Sequence, residues 1–299
     1  MNWLRYAIAI AGLCGLAATP ARACTSTTIA SITPIPNVVY DPFEGLARTA
    51  TYNVNIANTG TGDCSVGIAI SSPPPGAPRA FKNGANEIRY VLEFPGGSVF
   101  QNSLSSPLGT LVVRAGQTRS VTLRVKINAG LIAPAGTYSD VLTFRLYRNG
   151  TGPLVQVGTD RTATAGALVE ARAQVNIAGT SGTFGVPFAL NSIDFGTLTT
   201  GSAKNAIVQV RATAPVSITV SSQNAGKLKH KVLTTDPGVP YTMQLDGAAV
   251  DLTGASSLNR SPPITLDGIN YPMSLQIGDV AGRPAGNYQD TLTINVAPM

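Results

Sequence analysis

Apolar and polar side chains alternate along most of this chain. The runs Thr51-Tyr-Asn-Val-Asn-Ile-Ala57, Val66-Gly-Ile-Ala-Ile70, Ser120-Val-Thr-Leu-Arg-Val-Lys-Ile127 and Ser217-Ile-Thr-Val220 share a period of two, and Gly, Pro, Asn or Asp bounds each of them. Successive side chains of a strand point to opposite faces, so this period predicts strands with one buried face. Past the first residues, no stretch sustains the longer period of a helix. In the first half the pattern predicts strands over 48–57, 64–72, 87–94, 108–114, 119–127 and 138–148. Many short strands separated by turn residues predict an all-β protein built of β-sandwiches.

The pattern also returns. Pro134-Ala-Gly-Thr-Tyr-Ser-Asp-Val-Leu-Thr-Phe144 reappears as Pro284-Ala-Gly-Asn-Tyr-Gln-Asp-Thr-Leu-Thr-Ile294, an offset of 150 residues and about one domain length. Ile88-Arg-Tyr-Val-Leu-Glu-Phe94 parallels Val239-Pro-Tyr-Thr-Met-Gln-Leu245, and residues 63–72 parallel 214–222, which aligns Cys64 near Pro215 or Val216. The matches keep their order, so the chain reads as two copies of one immunoglobulin-like sandwich, over 24–165 and 166–299. The junction is expected in the Ala-, Gly- and Thr-rich stretch between Thr159 and Gly182.

Within the repeated segment, Pro and Gly make a tight turn. Tyr138 and Tyr288 follow, each able to bury a ring at the end of a sandwich while its hydroxyl bonds the backbone, like the corner tyrosine of immunoglobulin-type folds. Asp140 and Asp290 are placed to accept from turn N–H groups.

Ile193-Asp-Phe-Gly-Thr-Leu198, Val239-Pro-Tyr241 and the segment 284–294 together resemble the spore coat U (secreted pili) domain family. The likeness spans about 184–299 and is weaker over 24–150, where Val39-Tyr-Asp-Pro-Phe43 loosely echoes the Asp-Phe-Gly segment. A two-domain layout of this kind resembles the tip adhesin of archaic chaperone–usher pili. The resemblance implies a second sandwich lacking its final strand, completed by a periplasmic pilus chaperone and then by an adjacent pilin subunit. It also implies passage through an outer-membrane usher and attachment to an abiotic or host surface, with biofilm formation.

Composition sharpens this picture. Arg5, the apolar run Tyr6 to Ala18 and Ala21-Arg22-Ala23 read as a secretory signal cleaved before Cys24. The run is shorter than the roughly 20 apolar residues a membrane span needs. Removal of residues 1–23 takes away Arg5 and Arg22 and lowers the formal charge from +6 to +4. That charge is spread along the chain, without the clustered cations and interleaved aromatics of a nucleic-acid binder. Cys24 and Cys64 are the cysteines left. In an exported protein they most simply form a disulfide, the alternative being two buried thiols.

The copies differ at their ends. After 138–148 the first copy continues through a hairpin signal, Asn149-Gly-Thr-Gly152, into Leu154-Val-Gln-Val-Gly158. After 289–296 the second has Ala297-Pro-Met299. The second sandwich is therefore expected to leave a strand edge open at Leu292, Ile294 and Val296, unless Phe184 to Ala189 or the linker closes it. If Cys24 is the first mature residue and is bonded to Cys64, no amino-terminal donor strand is left to give. Such a subunit would sit at the distal end of a fibre.

Catalytic chemistry is not expected. His230, the one histidine, lies in Lys227-Leu-Lys-His-Lys231 with no nucleophile elbow accompanying it. A zinc site needs several His or Cys ligands, and no cofactor-binding pattern is present. Adhesive groups are sought in loops. Strand counting puts loops 58–63, 95–107 and 128–137 at one pole and 73–86, 115–118 and 149–152 at the other, an assignment that a sheet crossover would invert. Val99, Phe100 and Leu104, with Leu131 and Ile132, are apolar where loops are normally polar, and are expected either to form a hydrophobic tip or to fold back as a cap. The Pro73–Phe81 segment is the second choice of tip. Two further functions stay open: a secreted carbohydrate-binding module, which would need a row of planar aromatics although Trp3 falls in the signal, and a structural coat or matrix protein.

Overall fold

The computed structural model describes residues 24–186 and 189–299; the expected signal peptide, 1–23, lies outside the described residues. The first half contains β1 (Thr27–Ile32), β2 (Val38–Tyr40), β3 (Arg48–Asn58), β4 (Cys64–Ser71), β5 (Ala80–Asn83) and β6 (Asn86–Arg89). It continues with β7 (Val91–Glu93), β8 (Ser103–Val113), β9 (Thr118–Ile127), β10 (Gly136–Arg148) and β11 (Val155–Val169). One sheet runs β1-β3-β9-β7. The facing sheet runs β2-β11-β10-β4-β8, with the β5–β6 hairpin attached to β10. The alternation explains the core between them. Tyr52, Val54 and Ile56 of β3 and Val121, Leu123 and Val125 of β9 point inward against Leu142, Phe144 and Leu146 of β10. Each large side chain so buried contributes roughly 1.5–3 kcal/mol.

The second half contains β12 (Ala173–Ala178), β13 (Ala203–Ala212), β14 (Val216–Ser222), β15 (Lys227–His230) and β16 (Val239–Leu245). After these come β17 (Ala248–Val250), β18 (Ser256–Arg260), β19 (Ile269–Ile277), β20 (Tyr288–Gln289) and β21 (Leu292–Pro298). One sheet runs β12-β13-β19-β16-β15-β20 with β17 on β16, and the other runs β18-β14-β21. A separate core lies between them, centred on Val208, Val210, Ile218, Val220, Met243 and Leu275. The fold is all-β, as expected.

Three expectations change. First, β11 carries the first sheet through the buried Val169, past the boundary expected at 165/166, and Ala173 already packs on the second core. Second, 87–94 is not one strand. Asn83 pairs with Asn86 across a tight turn, β6 stays with β5, and β7 crosses to pair with β9. Residues 72–102 thus leave and return at one end of the sandwich, so loops 58–63 and 73–86 exchange poles, while 95–107 stays with 128–137 and 115–118 stays with 149–152. Turns 59–63, 114–117 and 149–154 share one end. Loops 72–79 and 128–135 share the end that meets the second sandwich, where Ala135 N–H donates to the Thr213 carbonyl at 2.8 Å. Third, the repeat aligns at a constant 150 in β4 and β14, so Cys64 corresponds to Ala214 and not to Pro215 or Val216.

Cys24 and Cys64 form a disulfide, with their Cα atoms 5.0 Å apart. The bridge ties the chain just before β1 to the start of β4. It encloses a separation of 40 residues, for which loop-closure entropy predicts roughly 2–4 kcal/mol.

Candidate functional site

The repeat offers an internal comparison of how each sandwich is closed. In the first copy β10 is a central strand. Phe144, Leu146 and Arg148 pair with Ile70, Ile68 and Val66 of β4 on one side, and β11 pairs along the other side from Gly136↔Val169 to Arg148↔Val155. In the second copy β21 repeats the first of these pairings. Ile294, Val296 and Pro298 lie opposite Val220, Ile218 and Val216 of β14, each residue 150 beyond its counterpart. On its other side β21 has no strand partner among the described residues. Leu292, Ile294 and Val296, the expected acceptor edge, sit on this strand. Their side chains alternate inward and are half-buried against the second core.

A cleft of about 910 Å³ lies beside that edge. Leu292 and Ile294 form one wall and Ile193, Phe195 and Leu198 another, with Met273 and Leu275 among its lining. The Ile193–Leu198 segment, which carried part of the family resemblance, therefore borders the open edge. Leu190, at the start of this wall, is held by its N–H donating to the Ile177 carbonyl at 2.6 Å.

The Pro-Ala-Gly-x-Tyr-x-Asp turns are built alike in both copies. The Tyr138 hydroxyl donates to the Pro134 carbonyl at 2.8 Å, and Tyr288 donates to Pro284 at 2.9 Å. Asp140 Oδ1 accepts from Val141 N–H, and Asp290 Oδ1 accepts from Thr291 N–H, both at 2.8 Å. The glycine is needed in each. A Cβ on Gly136 would fall 2.6 Å from Asn83 Nδ2, and one on Gly286 would collide with the His230 ring.

Two tyrosines missing from the sequence-predicted sites complete the turns. Tyr90 donates to Asp140 Oδ2 at 2.6 Å, and Tyr241 donates to Asp290 Oδ2 at 2.5 Å. Burial, with the carboxylate hydrogen bond adding to it, pushes both hydroxyls well above the ordinary tyrosine range. The repeated segments 88–94 and 239–245 were the signal that could have found them. Asp290 also accepts from Ser222 Oγ and Asn224 N–H, which ties the start of β21 to β14. One difference stands out: Tyr138 is fully buried under β11, whereas Tyr288 is only half-buried.

Val99, Phe100 and Leu131 of the expected adhesive set line one hollow, but the set divides by exposure. Val99 and Ile132 are exposed, at 51% and 41%. Leu104 lies half-buried within β8. Leu131 is half-buried against the core, and its N–H and carbonyl bracket the Tyr40 hydroxyl. Phe100 is 2% exposed and stands edge-on to Phe94, so it belongs to the core. The loop that carries Leu131 and Ile132 lies at the end that meets the second sandwich. Of the Pro73–Phe81 segment, Pro73 to Gly76 and Pro78 are exposed, whereas its last residues turn inward. Phe81 is buried and stacks on Tyr90 at 3.9 Å, and the buried Arg79 guanidinium donates to the carbonyls of Phe100, Ile70 and Gln101.

His230 is committed to the backbone. Its Nδ1 accepts from the N–H groups of Val232 and Leu233 at 3.1 and 2.9 Å, and Nε2 lies 3.3 Å from the Ala285 carbonyl. Among the described residues no three His, Cys, Asp or Glu side chains are grouped to hold a metal. No described helix is long and apolar enough to cross a membrane.

No family model matches the chain, and no curated protein matches it either. The spore coat U assignment accordingly rests on its motifs alone. Among solved structures, the chain is similar to one in the CsuC–CsuE chaperone–tip adhesion subunit pre-assembly complex from archaic Csu pili of Acinetobacter baumannii. The identity is 12%, covering 87% of this chain and 96% of that one, with a TM-score of 0.48. The CupB6 tip adhesin from Pseudomonas aeruginosa gives 11% identity over 90% and 94%, with a TM-score of 0.40. The CFA/I adhesin CfaE of enterotoxigenic Escherichia coli gives 14% over 93% and 79%, with a TM-score of 0.33. Identities this low and TM-scores under 0.5 mark a loose likeness and assign no activity to the chain.

Proposed function

We propose that this protein is the tip subunit of an archaic chaperone–usher pilus, exported through the periplasm to the cell surface. Its second sandwich is completed first by a strand from a periplasmic chaperone and then by a strand from the adjacent pilin, with assembly at an outer-membrane usher. One observation carries the reading. The edge of β21 is open at the register that β11 fills in the first copy. An unpaired edge beside an apolar cleft recruits a strand from another chain. At the other end, residues from Cys24 onward are committed to the first sandwich by the disulfide and by β1 pairing with β3. An open edge beside a cleft is the behaviour of a subunit that accepts a strand from another chain.

Attachment then falls to the pole remote from the second sandwich, where turns 59–63, 114–117 and 149–154 gather. Leu154 and, beside these turns, Val112 and Val155 are large exposed apolar side chains, at 51%, 46% and 43%. A carbohydrate-binding face is not favoured, because none of the large apolar side chains exposed among the described residues is aromatic. The test is amide exchange on the exported chain, alone and with an archaic pilus chaperone co-expressed. A stable one-to-one complex that protects the amides of β21 is expected. A monomer whose β21 amides are already as protected as those of β10 would overturn the assignment.

A further inference from the structure

The first copy shows more than that a strand is missing from the second; it shows what kind of side chain each position of that strand has to carry. Resting on the open-edge reading, we propose that the strand an adjacent pilin lays along β21, antiparallel as β11 is to β10, carries small side chains where it crosses Tyr288 and Asp290 and a bulky apolar side chain where it crosses Ile294.

Residues directly opposite in an antiparallel pair share a face. Along β10 the inward residues are Tyr138, Asp140, Leu142 and Phe144, and their partners on β11 are Ala167, Ala165, Ala163 and Arg161. Ala165 and Ala167 are fully buried. They are small because the space over them is taken by the Tyr138 ring and by the Tyr90–Asp140 pair. Between them Gly166 is equally confined, since a Cβ there would lie 2.4 Å from Asn37 Oδ1 and 2.9 Å from the Tyr138 carbonyl. In the second copy Tyr288 and the Tyr241–Asp290 pair make the same hydrogen bonds at positions 150 and 151 residues on. The obstruction is therefore repeated, and a strand crossing it meets the same limit.

Further along, the copies diverge. Phe144 fills the first core and β10 and β11 shift register beside it, which leaves Arg161 exposed, with Nε reaching the Ile29 carbonyl. In the second copy the position is Ile294, smaller by most of a ring, and it lines the 910 Å³ cleft. The incoming strand has to supply the volume that the protein itself does not. The far wall agrees. In the first copy β11 lies between β10 and β2, whereas in the second the cleft, lined by Leu190, lies beside β21. The strand so described has two consecutive small inward positions toward its carboxyl end and, beyond the inward position opposite Leu292 in the amino-terminal direction, a large one.

The full mature chain can be tested by giving it a strand of its own. In the first copy residues 149–154 turn the chain from β10 into β11, and Met299 stands where Asn149 stands in the repeat. A copy of residues 150–169 appended after Met299 would reach the open edge in the proposed direction. With Arg161→Leu in the appended copy, amide exchange across β21 should slow and the second sandwich should melt as one unit. Adding Ala165→Phe or Ala167→Phe in the copy should cost about 10- to 100-fold of that protection, the range expected for overpacking a closed site. The corresponding Ala→Ser changes should keep it. If the Phe variants protect β21 as well as the Ala and Ser variants, the size pattern is overturned while the open edge stands. If no appended strand protects β21, the open-edge reading fails and the pattern with it.

Discussion

Phe100 decides whether the loop that carries it is a tip or part of the core. Its ring lies within the first core at 2% exposure, edge-on to Phe94 at 5.9 Å, and its backbone N–H donates to the Leu92 carbonyl at 2.9 Å. Truncation in Phe100→Ala removes the buried ring and leaves a cavity, which costs about 3–5 kcal/mol. The edge contact with Phe94 is already counted within that range. For a sandwich of this size each kcal/mol moves the melting temperature by roughly 2–4 °C, so a fall of about 6–20 °C is expected in the transition of the first sandwich. Val99→Ser and Ile132→Ser, both at exposed positions, should stay within about 0.5 kcal/mol of the parent. The assay is thermal and urea unfolding of the full mature chain, with attachment to polystyrene measured on the same preparations. Phe100 is not core if Phe100→Ala leaves the melting temperature unchanged and attachment falls.

Alkylation without reductant should label neither Cys24 nor Cys64, and reduction should lower stability by roughly 2–4 kcal/mol. Tyr138→Phe removes a buried hydroxyl bonded to Pro134 and should cost about 1 kcal/mol, and Tyr288→Phe should cost less until a strand covers that turn; equal losses in the uncovered chain would contradict the open edge. Hydrogen bonds from Arg145 hold the Asp160 carboxyl below its ordinary value. A depressed carboxylate stabilises the fold above its unfolded pKa, and that contribution is lost as pH falls through the lower folded value. Asp160→Asn should therefore slightly flatten the acid limb of first-sandwich stability below about pH 4, by less than ~1 kcal/mol because the pair is partly solvated. Leu154→Ser with Val155→Ser should weaken attachment to polystyrene in a salt-resistant way without shifting the melting temperature; unchanged attachment would remove that pole from consideration.

Strands whose neighbours are set by simple alternation were legible in the sequence. Residues 48–57 and 119–127 alternate cleanly, and they pair as β3 and β9 around one core. Segment 87–94 alternates just as cleanly through Ile88, Tyr90 and Leu92, yet it is two strands in two sheets. Period two reports which face is buried and is silent about which sheet a strand joins. The switch is made by Tyr90, whose N–H donates to the Arg79 carbonyl at 3.2 Å and whose ring stacks on Phe81. Arg79 and Tyr90 lie outside the strands, and neither contact has a periodic signature. The same gap left Phe100 undecided between tip and cap. An apolar residue in a loop is consistent with either exposure or burial, and what draws it inward is Arg79, an arginine in a proline-rich stretch that gives no sign of being buried.

The open edge was legible for a different reason. A single sandwich gives no measure of what is missing from it, because an edge strand is an ordinary feature of any sheet. Here the chain carries its own reference. Val66, Ile68 and Ile70 recur as Val216, Ile218 and Val220, and Asp140, Leu142 and Phe144 recur as Asp290, Leu292 and Ile294, all at one offset. Identical pairing on one side of β10 and β21 makes the other side comparable, strand for strand. The Tyr–Asp turns extend the match to side chains, so a fully buried Tyr138 beside a half-buried Tyr288 measures at one residue what β11 covers. Substitutions between the copies then become informative. On the proposed reading, where the environment is kept, at Tyr288 and Asp290, the requirement on an incoming strand is kept; where Phe144 gives way to Ile294, that strand has to make up the difference.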